Sequence, residues 1–253
     1  NNMKIKHRTD RAGGYTLVEL VIVIVIIGIL AGVATNFLGK AIDTYRTEET
    51  KVEMRRLAFA VAGNPDLVSN GMRTDYGYIG DVGSLPPNWD ALVSNPGGYA
   101  TWNGPYIQDE FAATSINNDF KYDGWGAAYS APAASFSSTG GTMTITRQIA
   151  NSTDDLLYNT LRLTVVDFDL TPPGPDYRDS VEFAVFYPDG SGSITSRIGY
   201  PSANGYTELD SIPIGMHTLY LIYLPNNDTL IRQINIDPGC NFYTEMQYYE
   251  NVW

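Results

Sequence analysis

Nineteen consecutive residues, Leu20 to Leu38 (LVIVIVIIGILAGVATNFL), carry no charge. As a helix rising 1.5 Å per residue, this run is about 28 Å long, close to one hydrocarbon core thickness. Just before it, residues 1–14 hold Lys4, Lys6, Arg8 and Arg11 against Asp10, a net of +3. The whole chain of 253 residues has 16 Lys plus Arg and 28 Asp plus Glu, a net of −12, so the other 239 residues carry −15. Basic residues ahead of a membrane-length run stay cytoplasmic, which sends the bulk of the chain to the far side of the membrane.

Three kinds of N-terminal segment share this outline. A cleaved secretory signal has the same basic and apolar regions, and Gly32-Val33-Ala34 would serve as its small-residue cleavage site, giving a mature start at Thr35. An uncleaved signal anchor looks alike. The third must explain Gly14-Tyr15-Thr16-Leu17-Val18-Glu19-Leu20, where a glutamate sits at the lip of the apolar helix. A carboxylate costs about 2.5–3.5 kcal/mol at mid-bilayer on insertion scales, less near an interface, and a disposable signal has no reason to carry it.

A basic leader, glycine, an aromatic residue, Thr-Leu-x-Glu and an apolar helix resemble the signature of the type IV pilin and type II secretion pseudopilin family. The resemblance implies cleavage between Gly14 and Tyr15 by a prepilin peptidase on the cytoplasmic side. It also implies N-methylation of the new terminal Tyr15 and retention of the apolar helix. Glycine at position 14 suits a protease subsite that admits only a small group. Glu19, the fifth residue of the mature chain, is the family's partner for the terminal amine of a neighbouring subunit. An amine and a carboxylate in apolar surroundings are each costly alone and less so together. Tyr15 and Glu19 are thus the expected assembly residues, and Gly14 and Tyr15 the processing residues.

Beyond Leu38 the chain turns amphipathic. Tyr45, Val52 and Phe59 recur at sevens, while Met54, Leu57, Ala58 and Val61 form a second stripe at three and four. Gly63-Asn64-Pro65 is a stop. One helix is therefore expected from about Tyr15 to about Ala62. Many type IV pilins carry a proline about twenty-two residues into the mature chain; Asn36 stands there, so no proline kink is expected.

The next segment carries a second resemblance, to major pseudopilins. It contains Asp75–Pro86 with its Leu85-Pro86 turn, Trp89-Asp90-Ala91-Leu92-Val93, Trp102-Asn103-Gly104-Pro105-Tyr106 and Asp123-Gly124-Trp125-Gly126-Ala127-Ala128-Tyr129. Gly124 replaces the usual proline. The resemblance implies a variable loop leading to a small antiparallel sheet packed on the helix. Bottom-up, crowded Gly, Pro, Asn and Asp mark turns, and the aromatics read as core contacts between them, against the alternative of a sugar-binding surface. Some pseudopilins hold calcium after this region. Asp154 and Asp155 have suitable oxygens. The family's alternating Asp and Gly are absent there and the stretch reads as running into a strand, so no cofactor is expected beyond that opening. Asp189-Gly190-Ser191-Gly192-Ser193 reads as a plain hairpin turn.

From about Thr142 the text becomes short alternating runs: Leu161, Leu163 and Val165; Val181, Phe183, Val185 and Tyr187; then Met216–Leu224, Leu230–Ile236 and Phe242–Tyr249. Pro, Gly and Asn clusters separate them, which predicts a β-sandwich. Glu208–Leu221 is similar to an edge of prealbumin-like or carboxypeptidase-regulatory-like domains.

The expected fold is α+β: a leader (1–14), a long helix (15–63, membrane-spanning over 15–38), a pilin-like region (64–150) packed on it, and a sandwich-like domain (151–253). The acidic balance disfavours nucleic acid. One cysteine, Cys240, excludes internal disulfides and cysteine-based zinc sites. His217 reads as a packed strand histidine, and Asp167, Asp169, Asp176 and Asp179 as solvated turn acidity. With no Gly-x-Ser-x-Gly, phosphate loop or His-Glu-x-x-His, the chain reads as a non-enzymatic subunit of a helical homopolymer. The expected partners are copies of itself, a prepilin peptidase and an inner-membrane assembly machinery. The expected location is the inner membrane as precursor, then an extracellular or periplasmic filament. The alternative is a minor tip adhesin or carbohydrate-binding module on a pilin stalk.

Overall fold

The computed structural model describes residues 14–107 and 120–253, apart from the side chain of Asn36. The chain divides into residues up to Tyr45 and a compact unit, Arg46–Trp253. Helix α1, Leu17–Ala62, belongs to both: 46 residues, about 69 Å long. The expected helix is present as one unbroken element. Its described residues through Tyr45 are all exposed.

The two expected stripes have different fates. Met54, Leu57, Ala58 and Val61 are buried, whereas Tyr45 and Val52 are exposed at 67% and 46%. Residues two apart on a helix lie about 200° apart, so the Val52 and Met54 faces are nearly opposite and only one can meet a core. The helix ends as expected. Gly63 takes φ +79°, and a Cβ there would fall 2.1 Å from the Asp75 carbonyl oxygen, so no other residue fits without moving backbone.

After α1 come β1 (Val68–Ser69), β2 (Met72–Arg73), α2 (Gly77–Val82), a 3-10 turn (Trp89–Leu92), β3 (Ser135–Ser138), β4 (Ile145–Gln148) and α3 (Thr153–Leu157). The small sheet of this region consists of two antiparallel ribbons, β1–β2 and β3–β4. Tyr78, Ile79, Val82, Trp89, Leu92, Phe120, Tyr129 and Phe136 join the α1 stripe in one core. The aromatic polar handles are used internally. Trp89 Nε1 donates to the Ser130 carbonyl (3.1 Å), Trp102 Nε1 to the Ala91 carbonyl (3.0 Å) and the Tyr106 hydroxyl to Asp81 (2.8 Å). These rings are core contacts between turns rather than a sugar platform.

Two polar residues interrupt the buried face of α1, Thr50 and Glu53. The Tyr129 hydroxyl donates to Glu53 Oε2 at 2.9 Å, and the Gly124 N–H donates to Thr50 Oγ1 at 3.0 Å. Proline at position 124 could not supply that donor, so the departure from the family pattern is matched by a bond to the helix. Asp123, fully buried, accepts from the Trp125 and Ala127 N–H groups on Oδ1. Its Oδ2 accepts from the Ser138 hydroxyl and the Gly140 N–H, at 2.5–3.0 Å overall.

The remaining strands are β5 (Asn159–Val166), β6 (Val181–Pro188), β7 (Ile194–Gly199), β8 (Tyr206–Ile212), β9 (Gly215–Tyr223), β10 (Asp228–Ile236) and β11 (Asn241–Gln247), with a helical turn α4 (Gly174–Tyr177) before β6. They form sheets ordered β10-β9-β6-β7 and β11-β5-β8. Leu161, Leu163, Val165, Phe183, Val185, Leu219, Leu221, Ile234 and Ile236 fill the space between them, so the expected sandwich is present. Pairing is antiparallel except for β11, which runs parallel to β5. The 189–193 segment is the expected hairpin turn, with the Ser191 and Ser193 N–H groups on Asp189 Oδ1. The change of architecture near residue 150 lies inside the Arg46–Trp253 unit.

Leu57→Ala should lower unfolding free energy by about 2–5 kcal/mol, and Val52→Ala by no more than about 0.5. Chemical denaturation of the chain in detergent checks both. Burial raises the Glu53 pKa above its ordinary value, ahead of the opposing bond from Tyr129. A raised folded pKa means stability that is full below the unfolded value and lost as pH rises through the folded one. Glu53→Gln should therefore be more stable than the parent at pH 7 and lose that advantage by pH 4, read from denaturation midpoints at the two values.

Candidate functional site: the N-terminal segment

Gly14, Tyr15 and Thr16 precede the helix, and α1 begins at Leu17. Tyr15 is 82% exposed, and a Cβ on Gly14 would meet nothing within 4 Å. The Gly14–Tyr15 bond thus lies in open, non-helical chain directly ahead of a helix start. A residue the sequence reading passed over fixes that start. The Glu19 N–H donates to Thr16 Oγ1 at 3.2 Å, and the Leu20 N–H to the Thr16 carbonyl at 3.2 Å. Thr16 is therefore an N-cap, and Thr-x-x-Glu is the sequence signal that announces one. Glu19 falls in the first helical turn, where the helix macrodipole favours a negative charge.

Downstream, α1 is long and apolar enough to cross a membrane. Gly28, Gly32 and Gly39 each have open space where a Cβ would stand. Small residues on an apolar helix let a neighbouring backbone approach closely. Lys4, Lys6, Arg8 and Arg11 of the expected leader lie outside the described residues.

The other candidate residues are placed elsewhere. Asp154 and Asp155 are in α3, not in the run into a strand read from sequence. Asp155 closes a capping box: its N–H donates to Ser152 Oγ (3.1 Å), and its Oδ2 accepts from the Ser152 N–H (3.2 Å). Helix capping accounts for Asp155, and Asp154 is exposed. His217 is buried in β9 with Nε2 2.8 Å from the Pro213 carbonyl, and burial lowers its pKa. Cys240 is a half-buried free thiol just before β11, its N–H donating to Asn159 Oδ1.

Residues 9–35 match the prokaryotic N-terminal methylation motif. The chain is 34% identical over 107 residues to the type II secretion system core protein G of Xanthomonas campestris pv. campestris. The match covers 41% of this chain and 64% of that protein, so the chain spans a little under two thirds of its relative's length. Three solved structures show low similarity. The dioxygenase domain of a dioxygenase carbohydrate-binding protein fusion from Streptomyces sp. SirexAA-E has 12% identity and a TM-score of 0.28, over 38% of this chain and 81% of that one. The Bacillus anthracis TIE protein has 16% and 0.28, over 47% and 23%. A streptococcal ancillary pilin has 12% and 0.27, over 46% and 45%. Scores this low carry no argument. The methylation motif around Gly14–Glu19, at the head of a membrane-length helix, and the identity to a secretion-system core protein support the resemblance to the pilin and pseudopilin family.

Proposed function

We propose that the chain is a structural subunit of a type IV pilus-like or type II secretion pseudopilus filament. The observation that carries the reading is the arrangement at the N-terminus. An open Gly14–Tyr15 bond stands ahead of a Thr16-capped helix whose apolar residues through Leu38 are all exposed wherever their side chains are described. Such a surface needs lipid first and other helices later. On this reading a prepilin peptidase cuts after Gly14 on the cytoplasmic side, and Tyr15 becomes the methylated terminus. Apolar helix packing then drives assembly, with Glu19 pairing to the terminal amine of a neighbouring copy. Methylation leaves that amine cationic, so the pairing survives it. The Arg46–Trp253 unit is carried outside the membrane and displayed along the filament. The role is structural, in keeping with a family whose work is assembly rather than catalysis.

N-terminal mass spectrometry of the protein from cells should give a methylated Tyr15; a start at Thr35 identifies a secretory signal instead. Replacing Gly14 with a bulky residue should leave the full-length precursor in the membrane, and mature chains beginning at Tyr15 would contradict the assigned subsite. Glu19→Ala should be cut normally but yield few filaments in a shearing assay. Normal filament yield from that variant would remove Glu19 from the assembly mechanism.

A further inference from the structure

Arg147 sits where a charge has little reason to be. In the β3–β4 ribbon it stands directly opposite Phe136, and cross-strand neighbours share a face. Phe136 is 2% exposed, so Arg147 belongs to the core-facing side of the ribbon. Its Nε is buried with no hydrogen-bond partner, and no carboxylate pairs with it, among the described residues. Buried polar groups are nearly always hydrogen-bonded, and an unmet donor costs more than a typical bond returns.

The space beside it is a cavity of about 480 Å³, within the range of small-molecule sites. Helix α1 supplies its floor. Along the buried face Met54 and Leu57 give way to Ala58 and Ala62, one turn apart, whose short side chains leave the hollow. Val68 and Ile149 add apolar walls. The last carbonyls of a helix carry its negative end, which disfavours an anion. Arg73 offsets that here. Its Nη2 donates to the Ala62 carbonyl and its Nε to the Asp75 carbonyl (2.8 Å), and its side chain is 10% exposed. Asp237 also lines the cavity, but it is engaged already. It accepts from the Tyr76 hydroxyl at 3.3 Å and meets Arg73 Nη1 at 3.5 Å. Two guanidinium groups therefore face one carboxylate, and the charge left over is that of Arg147.

We propose that this cavity binds a small organic acid, with its carboxylate on Arg147 and its apolar body over Ala58 and Ala62. Water can meet one N–H of Arg147 but leaves the charge uncompensated. The planar guanidinium fork matches both oxygens of a carboxylate. A phosphate would bring a second negative charge beside Asp237 and nothing apolar for the floor. The site lies wholly within the Arg46–Trp253 unit and stands whether or not the chain forms filaments.

The test titrates the full chain in non-ionic detergent with 3-phenylpropionate, its uncharged amide and inorganic phosphate. A ligand of that size reaches a dissociation constant of about 10⁻³–10⁻⁵ M. At tenfold above that constant the thermal midpoint should rise by roughly 3–6 °C. The amide should bind about tenfold to a hundredfold more weakly, since the charged hydrogen bonds are lost. Arg147→Met keeps the apolar stem and removes the guanidinium. Without ligand it should melt no lower than the parent, because an unmet donor has gone, and 3-phenylpropionate should leave its midpoint unmoved. Arg147→Lys keeps the charge without the fork and should bind between the two. The proposal is overturned if the amide or phosphate binds as well as the acid, or if Arg147→Met keeps the parent's shift. It is equally overturned if Arg147→Met melts well below the parent without ligand, the mark of a guanidinium already paired within the fold.

Discussion

The Arg46–Trp253 unit is organised by one stripe of α1 and by the two polar residues that interrupt it. Met54, Leu57, Ala58 and Val61 need an apolar cover, while Thr50 and Glu53 on the same buried face need hydrogen-bond partners. One turn supplies both partners: Gly124 binds Thr50, and Tyr129 binds Glu53. That turn is held by Asp123, whose Oδ2 also takes Ser138 and Gly140. The same carboxylate therefore fixes the β3–β4 ribbon and brings Phe136 against Trp89 and Tyr129, with ring centroids 4.8 and 6.0 Å apart. An unmet Glu53 or Asp123 would cost more than any one of these apolar contacts returns, so the polar clasp sets the register of the core.

The sandwich joins this core through close backbone contacts rather than a linker. The Ile214 N–H donates to the Leu156 carbonyl (2.9 Å), and the Gly190 N–H to the Val82 carbonyl (2.7 Å). Leu156 and Ile214 are buried with the α1 stripe. Gly83 shows how tight the approach is, since a Cβ there would lie 2.0 Å from the Pro188 carbonyl oxygen. The run Asp75–Pro86 is thus constrained from two sides. The family-like region and the added β strands share one folded unit, although their sequences change character near residue 150.

Much of this was legible in the sequence because it rests on local periodicity. The long apolar run, the Gly63 stop and the alternation of Leu161, Leu163 and Val165 all follow from side-chain spacing along one element. What was not legible depends on distant partners. Spacing alone could not choose between the Tyr45-Val52-Phe59 stripe and the Met54-Leu57-Val61 stripe, because both fit a helix. The choice is made by Tyr129 and Gly124, some seventy residues later. The parallel pairing of β11 with β5 was equally hidden, since strand direction leaves no mark on alternation. Asp167 and Asp169 look the same in sequence and differ only because β5 carries the first into the interior. At the N-terminus, Thr-x-x-Glu is readable as a cap, whereas the longer motif singles out Gly14, Tyr15 and Glu19.

That cap bears on why Glu19 needs a partner at all. In the first turn its carboxylate gains from the macrodipole about 0.3–1 kcal/mol at exposed sites. The cost of an acidic side chain on a membrane helix is about 2.5–3.5 kcal/mol at the bilayer centre. The helix N-terminus therefore offsets a minority of that cost wherever Glu19 is drawn deep into apolar surroundings, as it would be among packed helices. On the proposed reading, Glu19 lies near the membrane interface before processing, where the charge stays wet and the cost low. On the same reading, the Glu19 carboxylate is left available after processing, because the cap uses the Glu19 N–H and the Thr16 hydroxyl rather than that carboxylate. In the proposed filament, a neighbouring copy's amine could meet that carboxylate with the cap intact. In the proposed filament, Thr16 thus holds Glu19 in the first turn, the membrane interface keeps it harmless before assembly, and burial among helices makes an opposite charge from another chain the least costly way to complete it.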